Sequence, residues 1–149
     1  MELKDLLKYE NVEIIDSVKD WRDAVEVATR KLVEQGYIEP RYTEAIIESA
    51  IEHNAYFVLC PGVALLHASS DKGVNETQLS ITYVKEPFRF EGKDEDVNLM
   101  ITLAAADGES HMQAIQQVAI VLGDDETLNR ALNPESVDDL YNLFTEAQV

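Results

Sequence analysis

Apolar positions along the chain recur at two spacings, and the switches between them outline the elements. The opening LKDLL is short and amphipathic and predicts a brief helix. VEIIDSV, residues 12–18, is rich in β-branched residues and predicts a strand. In DWRDAVEVATRKLVEQG, Trp21, Val25, Ala28 and Leu32 recur at helical spacing, with Asp20 placed as an N-cap and Gly36 as the stop. PRYTEAIIESAIEH puts a proline in a first turn and Tyr42, Ile46, Ile47 and Ala50 on one face. The middle of the chain changes character. YFVLC and VALLH are short apolar runs around Pro61-Gly62. QLSITYV alternates, with Leu79, Ile81 and Tyr83 on one face, and VNLMITLAA is apolar on both faces, as a covered central strand must be. Helical spacing then returns. SHMQAIQQVAIVLGD carries a stripe of Met112, Ile115, Val118, Ala119 and Leu122, DETLNRAL follows, and SVDDLYNLFTEA offers Ser136 as N-cap with Asp139 completing a capping-box-like pair.

Helices therefore open and close the chain, with at least four strands between them. The expected fold is α/β, a single domain over residues 1–149 with a mixed central sheet flanked by helices on both faces. The order is not a strict β-α-β alternation, which argues against a doubly wound nucleotide fold, and neither GxGxxG nor a P-loop is present.

Composition sharpens this picture at three points. A chain of 149 residues with 46% hydrophobic and 28% charged residues can bury one full core, and no repeat or linker divides it. The net charge of -17 argues against nucleic acid as a partner, because phosphate backbones are bound by clustered Lys and Arg; an acidic surface instead favours solubility and steers basic partners toward it. The lone cysteine, Cys60, permits no intrachain disulfide, fits a reducing compartment and lies in an apolar run that predicts burial. MELKDLLKYE is too charged for a signal peptide, and the longest apolar stretch, residues 55–66, is broken by Pro-Gly and too short to span a bilayer. A soluble cytoplasmic protein without membrane insertion is expected.

Chemistry centres on three histidines. His53 falls where a helix should end, and complementing the helix dipole explains it. His67 ends an apolar strand and is followed by Ala-Ser-Ser-Asp. Strand ends that open into loops are where α/β folds place chemistry, and the hydroxyls of Ser69 and Ser70 are donors suited to an anion. His111 stands between a central strand and a helix, where helix N-termini attract phosphate and disfavour an imidazolium. Taken alone, His67 fits a structural role at least as well, and His111 reads equally as a capping-region residue. Three separated histidines without HxxxH or CxxC make no metal site, no GxSxG supports a serine hydrolase, and no cofactor motif is present.

The order of motifs adds a resemblance. DWRDAV, YIEPRYTEAII, AYFVLCPGVALLHA, GVNET, ITLAAADGESHMQAI and SVDDLYNLF together resemble enzyme IIA components of the bacterial sugar phosphotransferase system, in the fructose–mannitol superfamily, over nearly the whole chain. EPRY followed by YFVLCPG is most similar to the ascorbate-type branch. The resemblance implies a mixed sheet between helices and a phosphocarrier function. It implies that His67 is the phosphorylated nucleophile, that His111 supports it, that HPr is the donor, and that an enzyme IIB, typically through a cysteine, is the acceptor. Ser69 and Ser70 then stand where phosphate would be held. Two positions depart from the family pattern: Leu66 replaces a proline before the active histidine, and Ser69 replaces an arginine after it. Leucine restores a backbone N–H, and Lys72 offers only a point charge in place of a guanidinium fork. The helix stretch IIESAI also lacks the arginine that mannitol-type members carry. These departures motivate an alternative, an enzyme IIA-like regulatory binding module not dedicated to transport.

Overall fold

The computed structural model describes residues 2–52 and 58–146. In chain order the elements are α1 (Leu3–Leu6), β1 (Leu7–Ile15), α2 (Trp21–Glu34), α3 (Pro40–Glu52), β2 (Val58–Cys60), β3 (Gly62–Leu66), a 3-10 turn (Ser70–Lys72), β4 (Gln78–Phe88), β5 (Val97–Ala104), α4 (Gly108–Leu122), α5 (Asp125–Ala131) and α6 (Val137–Thr145). Among the described residues the strands form one mixed sheet in the order β1-β4-β5-β3-β2. Strand β5 is central, antiparallel to β4 and parallel to β3. Its sequence, apolar on both faces, is explained by that position.

Two cores lie on opposite faces of the sheet, as alternation along the strands requires. Ala64, Leu66, Met100 and Ala104 point toward α2 and α3, where Trp21, Val25, Ala28, Leu32, Tyr42 and Ile46 meet them. Val63, Leu65, Leu79, Ile81, Leu99 and Ile101 point toward α1, α4 and α6. Helices thus cover both faces, as the element pattern predicts.

The helix ends follow the sequence signals closely. Asp20 caps α2 by accepting from the Asp23 N–H at 2.9 Å. At the other end Gly36 takes φ +81°, and the N–H groups of Gly36 and Tyr37 return to the carbonyls of Val33 and Leu32. This is a Schellman stop, and it uses the one residue type without a Cβ penalty there. Ser136 Oγ accepts from the Asp139 N–H at 3.0 Å. Only half of the expected box forms, because the Asp139 carboxylate turns to Arg130 and to the Glu135 N–H instead.

Three expectations are corrected. The first strand starts at Leu7 rather than residue 12 and ends at Ile15. Its early part carries Lys8, Tyr9 and Glu10 exposed beside a register shift, which an edge strand tolerates because it completes only one ladder. On α4 the buried residues are Ala114, Val118, Val121 and Leu122, whereas Met112 and Ala119 are exposed. The stripe is rotated from the expected one onto the face that continues from His111 at i+3, i+7 and i+11. Cys60 is half-buried on the edge strand β2 rather than fully enclosed, and burial raises its thiol pKa.

Candidate functional site

Topology brings two distant histidines together. Strands β3 and β5 are parallel neighbours, paired up to Leu66 with Thr102, so both chains leave the sheet at the same edge. The first exit runs straight into His67. The second runs through Ala104 to Asp107 and into α4. Asp107 caps that helix, its carboxylate accepting from the Ser110 N–H at 2.7 Å, and these hydrogen bonds hold its pKa below the usual carboxylate range. The Asp107 carbonyl accepts the His111 N–H at 3.1 Å. His111 is therefore fixed at the start of α4, as the sequence predicts, and its ring lies against that of His67. The centroids are 5.3 Å apart and the planes are tilted by 58°.

The protonation of His67 follows from its neighbours. Its Nδ1 lies 2.9 Å from the Leu65 carbonyl oxygen. A carbonyl can only accept, so Nδ1 carries the proton and the neutral ring keeps its lone pair on Nε2. Burial lowers the His67 pKa, the Leu65 hydrogen bond opposes this, and His111 adds to the lowering. A neutral imidazole with a directed lone pair is a nucleophile at neutral pH.

The serines fall on the loop that follows. Ser69 is exposed and begins the 3-10 turn, its carbonyl accepting from the Lys72 N–H at 3.0 Å. Its hydroxyl bonds the Asp71 carboxylate, the main cause of that group's lowered pKa. Ser70 is half-buried in the turn. A groove of about 370 Å³ runs between α3 and this loop, lined by Glu48, Ser49, Glu52, Ala68, Ser69 and Lys72. Lys72 is thus the groove's cation, while Glu48 and Glu52 make its far wall acidic. Met112, next to His111, is 55% exposed and adds an apolar side chain to the surface at the start of α4. His53 lies outside the described residues.

One residue at the site escapes the sequence reading. Tyr42 reads as a core position on α3, and its side chain is indeed buried. Its hydroxyl, however, reaches the backbone just beyond His67, accepting from the Ala68 N–H at 3.0 Å and donating to the Leu103 carbonyl at 2.8 Å. A hydroxyl at the inner end of an apolar helical stripe is the signal, since a buried phenol needs a partner.

Among the described residues no group of three or more His, Cys, Asp or Glu is placed to hold a metal ion, and no helix is long and apolar enough to cross a membrane.

Comparison with known proteins gives consistent matches. Residues 5–147 match the family model described as "Phosphoenolpyruvate-dependent sugar phosphotransferase system, EIIA 2". The chain is 34% identical over 145 residues to the mannitol-specific cryptic phosphotransferase enzyme IIA component of Escherichia coli strain K12, covering 97% of this chain and 99% of that one. It is 34% identical over 133 residues to the ascorbate-specific EIIA component of Shigella boydii serotype 4, covering 87% and 86%. The solution structure of the E. coli cryptic mannitol enzyme IIA superposes with a TM-score of 0.92 over 99% of this chain and 100% of that one, at 34% identity. The enzyme IIA–phosphorylated enzyme IIB complex for mannitol from E. coli matches with a TM-score of 0.82 at 26% identity, covering 95% and 100%.

Proposed function

Because the chain belongs to the EIIA 2 family of the phosphoenolpyruvate-dependent sugar phosphotransferase system, we propose that it acts over residues 1–149 as a cytoplasmic phosphocarrier whose phosphorylated residue is His67. The observation that carries this reading is the juxtaposition of His67 and His111, with His67 Nδ1 engaged by the Leu65 carbonyl. The Nε2 lone pair of His67 attacks the phosphorus of a phosphohistidine on the small carrier protein HPr. The new P–Nε2 bond forms as the donor's P–N bond breaks, and the donor imidazole leaves with the electron pair. In the second half-reaction a thiolate on an enzyme IIB attacks the same phosphorus from the other side and His67 departs as a neutral ring. Phosphoryl transfer asks little of a protein beyond alignment and charge stabilisation. His111, Ser69, Ser70 and Lys72 are the donors at hand for the phosphoryl oxygens.

Partner choice follows from the surface. A protein of net charge -17 attracts a carrier with a basic rim, and exposed Met112 offers that rim an apolar contact. The enzyme IIB partner is supported by the phosphorylated complex among the similar structures. The sugar is set by the membrane partner; relatives named for ascorbate and for mannitol make these the two to test. A second reading, a regulatory binding module, is favoured by Leu66 and Ser69, the two positions where the chain departs from the proline and arginine of the family pattern it resembles. The two readings separate in one assay: incubation with phosphoenolpyruvate, enzyme I and HPr, followed by addition of a cognate enzyme IIB. Acid-labile phosphate that then discharges rapidly supports the carrier. Stable phosphate without discharge, or binding to a regulator with neither, supports the module, and no phosphate refutes the carrier. Growth of a deletion strain on ascorbate and on mannitol identifies the sugar.

A further inference from the structure

Tyr42 lies on α3, on the opposite face of the sheet from His111, yet its hydroxyl meets both chain exits that build the site. Pairing of β3 with β5 stops at Leu66 and Thr102. One residue past His67, the Ala68 N–H donates to the phenol oxygen at 3.0 Å. On the neighbouring exit, the Leu103 carbonyl accepts from the same hydroxyl at 2.8 Å, while the Ala68 carbonyl is the more distant neighbour at 3.3 Å. Tyr42 is 0% exposed, so these bonds form away from competing water. The Tyr42 N–H is itself held by the Glu39 carbonyl at 2.9 Å, which fixes the first turn that carries the ring.

We propose that Tyr42 is a positioning residue for phosphoryl transfer: its hydroxyl ties the segment that carries His67 to the strand that leads into His111, and so sets the geometry of the histidine pair. The inference rests on the phosphocarrier reading for its effect on rate, and on the hydrogen bonds alone for its effect on the rings. The bond from His67 Nδ1 to the Leu65 carbonyl spans the end of β3. That bond persists only if the chain after Leu66 is held in its present course. The Ala68 N–H is the first backbone group past the histidine, and Tyr42 is what holds it. The same contact withdraws the Ala68 N–H from the donors that a phosphoryl group can use, leaving that task to groups further along the loop.

The test compares the wild type with Tyr42→Phe, which removes one oxygen and keeps the ring. Two readouts are taken: the rate of phosphorylation by phosphorylated HPr, and the ring-nitrogen chemical shifts of His67 in the unphosphorylated protein. Tyr42→Phe is expected to lose about tenfold to a hundredfold in rate, the scale of a small misplacement of reacting groups. Its His67 is expected to shift away from the Nδ1–H tautomer. A wild-type rate with unmoved ring signals overturns the proposal, and so does a slower rate with unmoved ring signals, because a loss through stability alone leaves the tautomer intact. If Tyr42→Phe fails to fold, 3-fluorotyrosine at position 42 replaces it. That near-isostere weakens the phenol oxygen as an acceptor and is expected to shift the His67 tautomer in the same direction; unmoved signals overturn the proposal there too. Should the wild type take up no phosphoryl group, the phosphocarrier reading fails, and the ring-nitrogen comparison still decides the role of Tyr42.

Discussion

Replacing His111 by alanine separates a chemical role from a structural one. The two histidine rings are 5.3 Å apart, so the His111 ring N–H is within reach of a phosphoryl group on His67. A hydrogen bond to a charged group is worth about 1.5–3 kcal/mol. At about 1.4 kcal/mol per decade of rate, its loss from the transition state slows transfer by about tenfold to about 150-fold. The cost to the fold is much smaller. His111 is half-buried at the start of α4, where alanine is the better helix former by roughly half a kcal/mol, which offsets the lost ring contacts. The net change in stability should stay within about 1 kcal/mol, a shift in Tm of at most about 4 °C for a chain of this size. Rapid-quench measurement of phosphoryl uptake from HPr, with thermal unfolding of the same samples, checks both figures. His111→Asn keeps a donor near the same place and should recover part of the rate. An unchanged rate in His111→Ala, or a loss of stability large enough to account for the loss of activity, would refute the reasoning.

Four other outcomes are expected. Because burial and His111 lower the His67 pKa from its ordinary 6.5, the nucleophile is mostly neutral at that pH, so the uptake rate measured from about pH 5 to about 8 should fall toward acid with a midpoint below 6.5; a midpoint above 6.5 contradicts this. The same lowering makes the unfolded chain the better proton acceptor, so the contribution of His67 to stability is complete above 6.5 and is lost as pH falls from there through the folded value, which urea titrations should show as a difference between the wild type and His67→Ala that is constant above 6.5 and shifts against the wild type only in acid. Gly62→Ala places a Cβ at φ +92° and 3.0 Å from Leu132 Cδ2, and should lower stability by about 1–3 kcal/mol in thermal unfolding while leaving uptake at 25 °C intact. Lys72→Glu puts another carboxylate into the groove beside Ser69 and should slow uptake by an amount that shrinks as salt is raised; a rate equal to wild type at low salt would remove Lys72 from the site.

The parts of the fold legible in the sequence are those decided locally. Asp20, Gly36 and Ser136 act at helix ends through atoms three or four residues away, and each is found in its expected place. The central strand declared itself because burial on both faces leaves no polar period. What depends on neighbours across the sheet was less legible. The stripe on α4 was rotated, since helical spacing gives several faces of similar polarity and only the cap at Asp107 selects one. The start of β1 was missed because an edge strand accepts charges that a central strand excludes. At the site, each histidine alone was ambiguous, and the order of motifs was what joined them. The physical cause of their contact is the parallel pairing of β3 with β5, which no local pattern reveals. Tyr42 was read only as core, because its partners are backbone atoms of Ala68 and Leu103, whose identity leaves no trace in the sequence.

The central claim, that His67 Nε2 carries the phosphoryl group, is tested most directly by nitrogen–phosphorus NMR on the ring-labelled protein after phosphorylation through enzyme I and HPr. With Nδ1 committed to the Leu65 carbonyl, a single N–P coupling at Nε2 of His67 is predicted, and His67→Ala should show none. Phosphate on Nδ1, on another residue, or on the His67→Ala protein would contradict it.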